Sequence, residues 1–141
     1  MDIALRVKNI VSAYNTRDPI RIAKMRGIDV DHYCLGDIKG VYKNILGNRF
    51  IGINSELDPF SQIVVAAHEL GHDILHSSKQ IRLMKDYILL PNSNKLETQA
   101  NKFAAELLLN EFINLEQYDI NDALGKSVLN KLIELKHSNI R

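Results

Sequence analysis

Two histidines and a glutamate in the run His68-Glu69-Leu70-Gly71-His72 have the types and spacing of a metal-assisted hydrolytic site. Residues four apart on an α-helix are offset by only about 40°, so both imidazoles leave one side of the rod a turn apart and can share an ion. Glu69 projects into the neighbouring sector, where a carboxylate is suited to take a proton from a water that the ion activates. A catalytic zinc takes three protein ligands and keeps one position open, so a further ligand has to come from elsewhere. His76 and Glu97 are the candidates. His76 follows His68 at a distance of about 12 Å along one straight helix, which suits a residue at the helix C-terminus or an outer partner of a metal-bound imidazole. Glu97 opens a separate helical pattern that can cross the first. An acidic residue in a first helical turn also serves the helix dipole, so both roles stay open for it. Asn101, one turn beyond Glu97, faces the same side and can either hold a ligand imidazole through its other nitrogen or pack within its own helix.

The elements that must position these groups carry their own signals. Asp58-Pro59 is a capping acid before a proline at the first helical position, and Phe60, Ile63, Val64, Ala67, Gly71, Ile74 and Leu75 form one apolar face after it. This predicts a buried helix from Phe60 to His76. Leu96, Ala100, Phe103, Ala104, Leu107 and Leu108 mark the helix that brings Glu97. An earlier helix starts after Asp2 with Ala4, Leu5, Val7, Ile10, Val11 and Tyr14 facing inward, and another runs from Asp18-Pro19 to a terminating Gly27. Two β-rich runs, Gly40 to Ile45 and Arg49 to Asn54, read as a hairpin with its turn at Gly47-Asn48, and the second run is a candidate edge for an extended substrate. Pro91-Asn92-Ser93-Asn94 reads as a turn. Beyond Asp119, Leu124, Val128, Leu132 and Leu135 space out an amphipathic helical tail whose Lys126, Lys131, Lys136 and His137 form a solvated face. The expected fold is α+β and zincin-like: mainly helical, with a small antiparallel sheet packed beside the HExxH helix. One domain is expected over residues 1–141, with a core at about 19–110 and a helical tail at about 111–141.

Composition narrows the functional classes. The chain of 141 residues is 45% hydrophobic and 25% charged, proportions of a globular protein rather than a disordered or fibrous one. Its formal charge of +1, without a basic block, argues against direct nucleic-acid binding. No run approaches the roughly 18 apolar residues of a membrane span, and the N-terminal stretch lacks the pattern of a signal peptide, so a cytoplasmic protein is expected. The lone Cys34 fits a reducing compartment and is expected to be a small core residue. Tyr42 and Tyr87 could each offer a phenol to an oxyanion, but neither has a spacing argument behind it.

The segment from His68 to His76, followed by Glu97-Thr-Gln-Ala-Asn-Lys-Phe-Ala-Ala-Glu-Leu-Leu-Leu109, resembles the ImmA/IrrE family of metallo-endopeptidases, in which a HELGHxxxH helix precedes an ExxANxFAAxLL helix. The resemblance extends from about Pro19 to Asn110. It departs at Leu109-Asn110, where the family usually has a proline, a change that touches helix termination and no ligand. The resemblance implies zinc held by His68, His72 and Glu97, with Glu69 as general base. It also implies a protein substrate, a helix-turn-helix transcriptional repressor of a prophage or mobile element. Two other readings remain at this level: a non-catalytic zinc-containing module that sequesters a repressor, and the toxin of a toxin-antitoxin pair.

Overall fold

In the computed structural model, which describes residues 1–76, 81–84, 95–109 and 123–140, aspartates start the first three helices. Asp2 accepts from the Leu5 amide ahead of α1 (Ile3–Tyr14), Asp18 from Ile20 and Arg21 ahead of α2 (Pro19–Met25), and Asp58 from Ser61 ahead of α3 (Pro59–Leu75). The prolines of α2 and α3 sit in the first turn, where a missing N–H costs nothing. α4 (Lys95–Leu108) and α5 (Ala123–Lys136) complete the helices described. The turn expected at Pro91–Asn94 lies outside the described residues.

Among the described residues, four strands form one sheet in the order β1-β3-β2-β4: β1 (Asp29–Tyr33), β2 (Gly40–Ile45), β3 (Asn48–Asn54) and β4 (Ile81–Met84). The fold is α+β as expected, but the sheet is mixed rather than wholly antiparallel, because β1 runs parallel to β3. The hairpin turn is one residue earlier than its composition suggested. Leu46 and Gly47 both have positive φ (54° and 86°), Ile45 pairs with Asn48, and the Asn44 side chain accepts from the Gly47 amide. β3 is paired on both sides and offers no edge to a substrate; among the described strands β4 lies at the end of the sheet instead.

The sheet turns Tyr42, Ile51 and Ile53 towards α3, which is buried between the sheet and α4. α1 and α5 close the far side of α4, with Ile3, Val7, Val128 and Leu132 completing the core. On α1 Ile3 and Val7 are buried and Ile10, Val11 and Tyr14 pack against the core as expected, while Ala4 and Leu5 are exposed because they point away from that face of the helix. Cys34 is also exposed rather than in the core, its thiol 3.3 Å from Glu56 Oε1.

One polar network ties α2, the sheet and α3 together. The fully buried Asp73 of α3 accepts from the Tyr42 hydroxyl (2.7 Å), from Arg49 through both carboxylate oxygens (3.0 and 2.9 Å) and from Arg26 Nε (3.0 Å). Arg49 also donates to the Arg26 carbonyl. Burial, with the bond to Asp73 and its charge, pushes the Tyr42 phenol well above its ordinary range. A phenol held neutral in this way contributes its full stability below the ordinary value of about 10 and loses it as pH rises towards the folded value. Tyr42→Phe should therefore cost about 1–3 kcal/mol at neutral pH, and the gap to the wild type should narrow above about pH 10. Urea midpoints of both proteins across that range test this; a gap independent of pH would sink it.

Candidate metal centre

α3 carries its chemistry in a setting from which water is almost excluded: His68 is 2% exposed and Glu69, His72 and Asp73 are 0% exposed. Such groups are tolerable in a core only when partnered. The partners of the imidazoles come from the first two turns of α4 and from His76 at the end of α3 itself. Glu97 places Oε2 at 2.9 Å from His68 Nε2 and Oε1 at 3.0 Å from His72 Nε2, so one carboxylate straddles both rings. The outer nitrogens are held as well. His68 Nδ1 donates to Asn101 Oδ1 at 2.6 Å, His72 Nδ1 lies 3.1 Å from His76 Nδ1, and His76 Nε2 lies 2.8 Å from Gln99 Oε1. The six residues singled out from the sequence, His68, Glu69, His72, His76, Glu97 and Asn101, are thus brought into one cluster.

Glu69 points elsewhere on the helix, as its spacing predicts. Its Oε1 is 3.7 Å from His68 Nε2, and a Cβ on Gly40 of β2 would lie 3.5 Å from Glu69 Cγ, so this carboxylate occupies the side of α3 that faces the sheet. One ligand atom from each of His68, Glu69 and His72 falls within 4.8 Å of the others. Glu97 makes the closer approach to both rings. Burial opposes ionisation of Glu97, but hydrogen bonds to and charges on His68 and His72 outweigh it and hold this carboxyl well below the usual range. Burial likewise opposes the His68 cation, yet the Glu97 hydrogen bond and the Glu69 and Glu97 charges hold its pKa above the ordinary value. Two imidazole nitrogens and a carboxylate aimed at one point are the donor set of an open three-ligand zinc site, with each outer nitrogen fixed by a further partner. The cluster fits a metal ion.

Its geometry depends on how closely the helices approach. Gly71 faces Phe103 of α4, and a Cβ there would meet Phe103 Cδ1 at 3.1 Å and its Cβ and Cγ at 3.2 Å. Other expectations fall outside the cluster. Tyr42 spends its hydroxyl on Asp73, and Tyr87 lies outside the described residues. Two participants escaped the sequence reading. Gln99 holds His76, and Asp73 anchors the turn that carries His72; an Asp in a helix apolar on nearly every side was the available sign that a buried partner exists. A cavity of about 1140 Å³ lies on the sheet's other face, lined by residues such as Tyr33, Val41 and Phe50, none of which belongs to the cluster.

An α+β fold in which a carboxylate from one helix meets two histidines a turn apart on another is the framework of a metallopeptidase. The chain belongs to the M78 peptidase family: the model of its IrrE N-terminal-like domain matches residues 21–123. It is also 36% identical over 117 residues to immunity region protein 2 of Bacillus phage phi105, itself uncharacterized, a match covering 82% of this chain and 73% of that protein. No helix among the described residues is long and apolar enough to cross a membrane.

Alanine at Gly71 would ordinarily favour a helix by about 1 kcal/mol. Here its methyl has to displace a Phe103 ring that is 0% exposed, and overpacking of this kind costs about 1–3 kcal/mol. Gly71→Ala should lower both the denaturation midpoint and metal affinity, because Glu97 moves with α4. Isothermal titration with zinc alongside urea unfolding checks both; a more stable variant with undiminished affinity would refute the packing argument.

Proposed function

We propose that the protein is a zinc-dependent endopeptidase that cleaves a helix-turn-helix repressor of a prophage or mobile element. The observation that carries this reading is the Glu97 carboxylate straddling His68 and His72 at 2.9 and 3.0 Å, with Glu69 beside them on the face towards the sheet. In this reading His68, His72 and Glu97 hold the ion, and Asn101 and His76 orient the two imidazoles. The ion supplies a Lewis acid that makes water nucleophilic near neutral pH. Glu69, outside the ligand set, accepts the proton from the attacking water and returns it to the leaving amine nitrogen.

An extended substrate needs a backbone template near Glu69. β4 supplies it: Met84 pairs with Gly40, and Gly40 is the strand residue that lies against Glu69. A peptide added along the end of the sheet at β4 would run two strand spacings from Gly40, on the open side of the described sheet. Glu97, whose side chain is 32% exposed, marks the side on which the cluster reaches solvent. Support for a repressor substrate comes from the phage relative, which is described as an immunity region protein.

The purified protein is expected to carry about one zinc per chain, and His68→Ala or His72→Ala should empty the site. Glu97→Ala should weaken binding severely and Glu97→Gln less, since a carbonyl oxygen remains. Glu69→Gln should keep zinc and fold while losing about 100-fold or more in cleavage of a co-expressed repressor, the scale of a lost general base. Elemental analysis and cleavage assays test these outcomes. Full cleavage by Glu69→Gln would remove Glu69 from the mechanism, and repressor inactivation without cleavage would favour a sequestering module.

A further inference from the structure

We propose that Gln99 is a positioning residue that, acting through His76, decides which nitrogen of His72 carries its proton; the proposal rests on the metallopeptidase reading above. Gln99 is 4% exposed, and its Oε1 lies 2.8 Å from His76 Nε2, while His76 Nδ1 lies 3.1 Å from His72 Nδ1. Once one end of this chain is set, the rest follows. An amide oxygen can only accept, so a neutral His76 carries its proton on Nε2 and donates it to Gln99. That leaves His76 Nδ1 bare, and it accepts from His72 Nδ1–H. His72 Nε2 then keeps its lone pair and aims it at the point shared with Glu97, which is the form a metal requires.

Reversing the Gln99 amide reverses every link. Its NH2 would donate to His76 Nε2, His76 Nδ1–H would donate to His72 Nδ1, and His72 Nε2 would carry the proton towards Glu97 Oε1, 3.0 Å away. That imidazole could hydrogen-bond the carboxylate but could not bind an ion beside it. His68 needs no such chain, because Asn101 Oδ1 meets its Nδ1 directly. His72 faces another imidazole, which can donate or accept, so the decision passes one residue further to the amide of Gln99.

Long-range nitrogen–proton NMR correlations on the zinc-loaded wild type should show His76 protonated on Nε2 and His72 on Nδ1, and His76 should keep its tautomer after chelation. Gln99→Leu, similar in size but unable to accept, should lose that preference at His76 in the zinc-free protein, where no metal sets the other end, and weaken zinc binding by about 10-fold or more, as changes in outer partners do. A merely structural Gln99 would leave the tautomers unmoved. His76 protonated on Nδ1 in the wild type overturns the assignment, and so does equal zinc affinity in the wild type and Gln99→Leu. Should the wild type take up no zinc, the metallopeptidase reading fails, while the His76 tautomer still decides the role of Gln99.

Discussion

The centre exists only because α3 and α4 lie close enough for one short carboxylate to touch two imidazoles at once. Glu97 reaches about 3 Å from both rings, and Asn101 and Gln99 reach the outer side of the cluster from the same helix. Such an approach leaves little room for a side chain at the crossing, and Gly71, where a Cβ would meet Phe103 at 3.1–3.2 Å, is where the absence of one is used. Everything else that positions α4 therefore also positions a candidate metal ligand. Cations do much of this at helix C-termini, where unpaired carbonyls favour positive charge. Arg17, between α1 and α2, donates to the carbonyls of Glu106 and Leu107 at the end of α4. Lys102 of α4, 4% exposed, donates to Leu135, Lys136 and Ser138 carbonyls at the end of α5, and Lys136 returns the contact to the Leu109 carbonyl. α4 and α5 thus close each other's ends.

Much of this was legible in the chain because the signals were local. Asp-Pro pairs marked helix starts, the i, i+4 histidines marked a shared face, and Glu97 with Asn101 marked a second helix able to meet it. β1 was not legible. Asp29 to Tyr33 is polar and exposed at most positions because it is an outer strand with little to bury, so it lacks the alternation that betrays a strand, and its parallel partner is distant in sequence. The hairpin turn slipped by one because a leucine at positive φ is a poor guess beside an available Gly-Asn pair. The lysines of the tail looked like a solvated face, yet Lys136 reaches back to α4. Roles such as those of Gln99, Asp73 and Lys102 depend on which element comes to lie opposite, and no local pattern carries that.

Burying a charge demands that it be answered. Asp73 is 0% exposed and stands beside two arginines and a phenol. Removing an arginine from such a cluster strips a buried charge of part of its compensation and costs more than removing the neutral phenol, whereas the intact network is worth far less than its bonds would sum to. Its effect here is geometric. Asp73 follows His72 directly, and its partners come from α2, β2 and β3, so rotation of α3 about its own axis would break bonds to three elements at once.

That rotational lock separates two chemical stripes on one helix. At about 100° per residue, His72 lies some 40° from His68, while Glu69 and Asp73 lie near 100° and 140°, so histidines face one neighbour and carboxylates another. The histidine stripe meets α4, and the carboxylate stripe meets β2, where Gly40 lies against Glu69 and Tyr42 bonds Asp73. The match is one of dimensions. Four residues of helix rise about 6 Å, and two residues of strand advance about 6.6 Å, so alternate positions of β2 keep step with successive turns of α3. Gly40 has to be bare, since a Cβ there would sit 2.3 Å from Val65 Cγ1. Placing the smallest residue beside Glu69 and a hydrogen-bonding one beside Asp73 leaves the first carboxylate close to the imidazoles and ties the second into the scaffold.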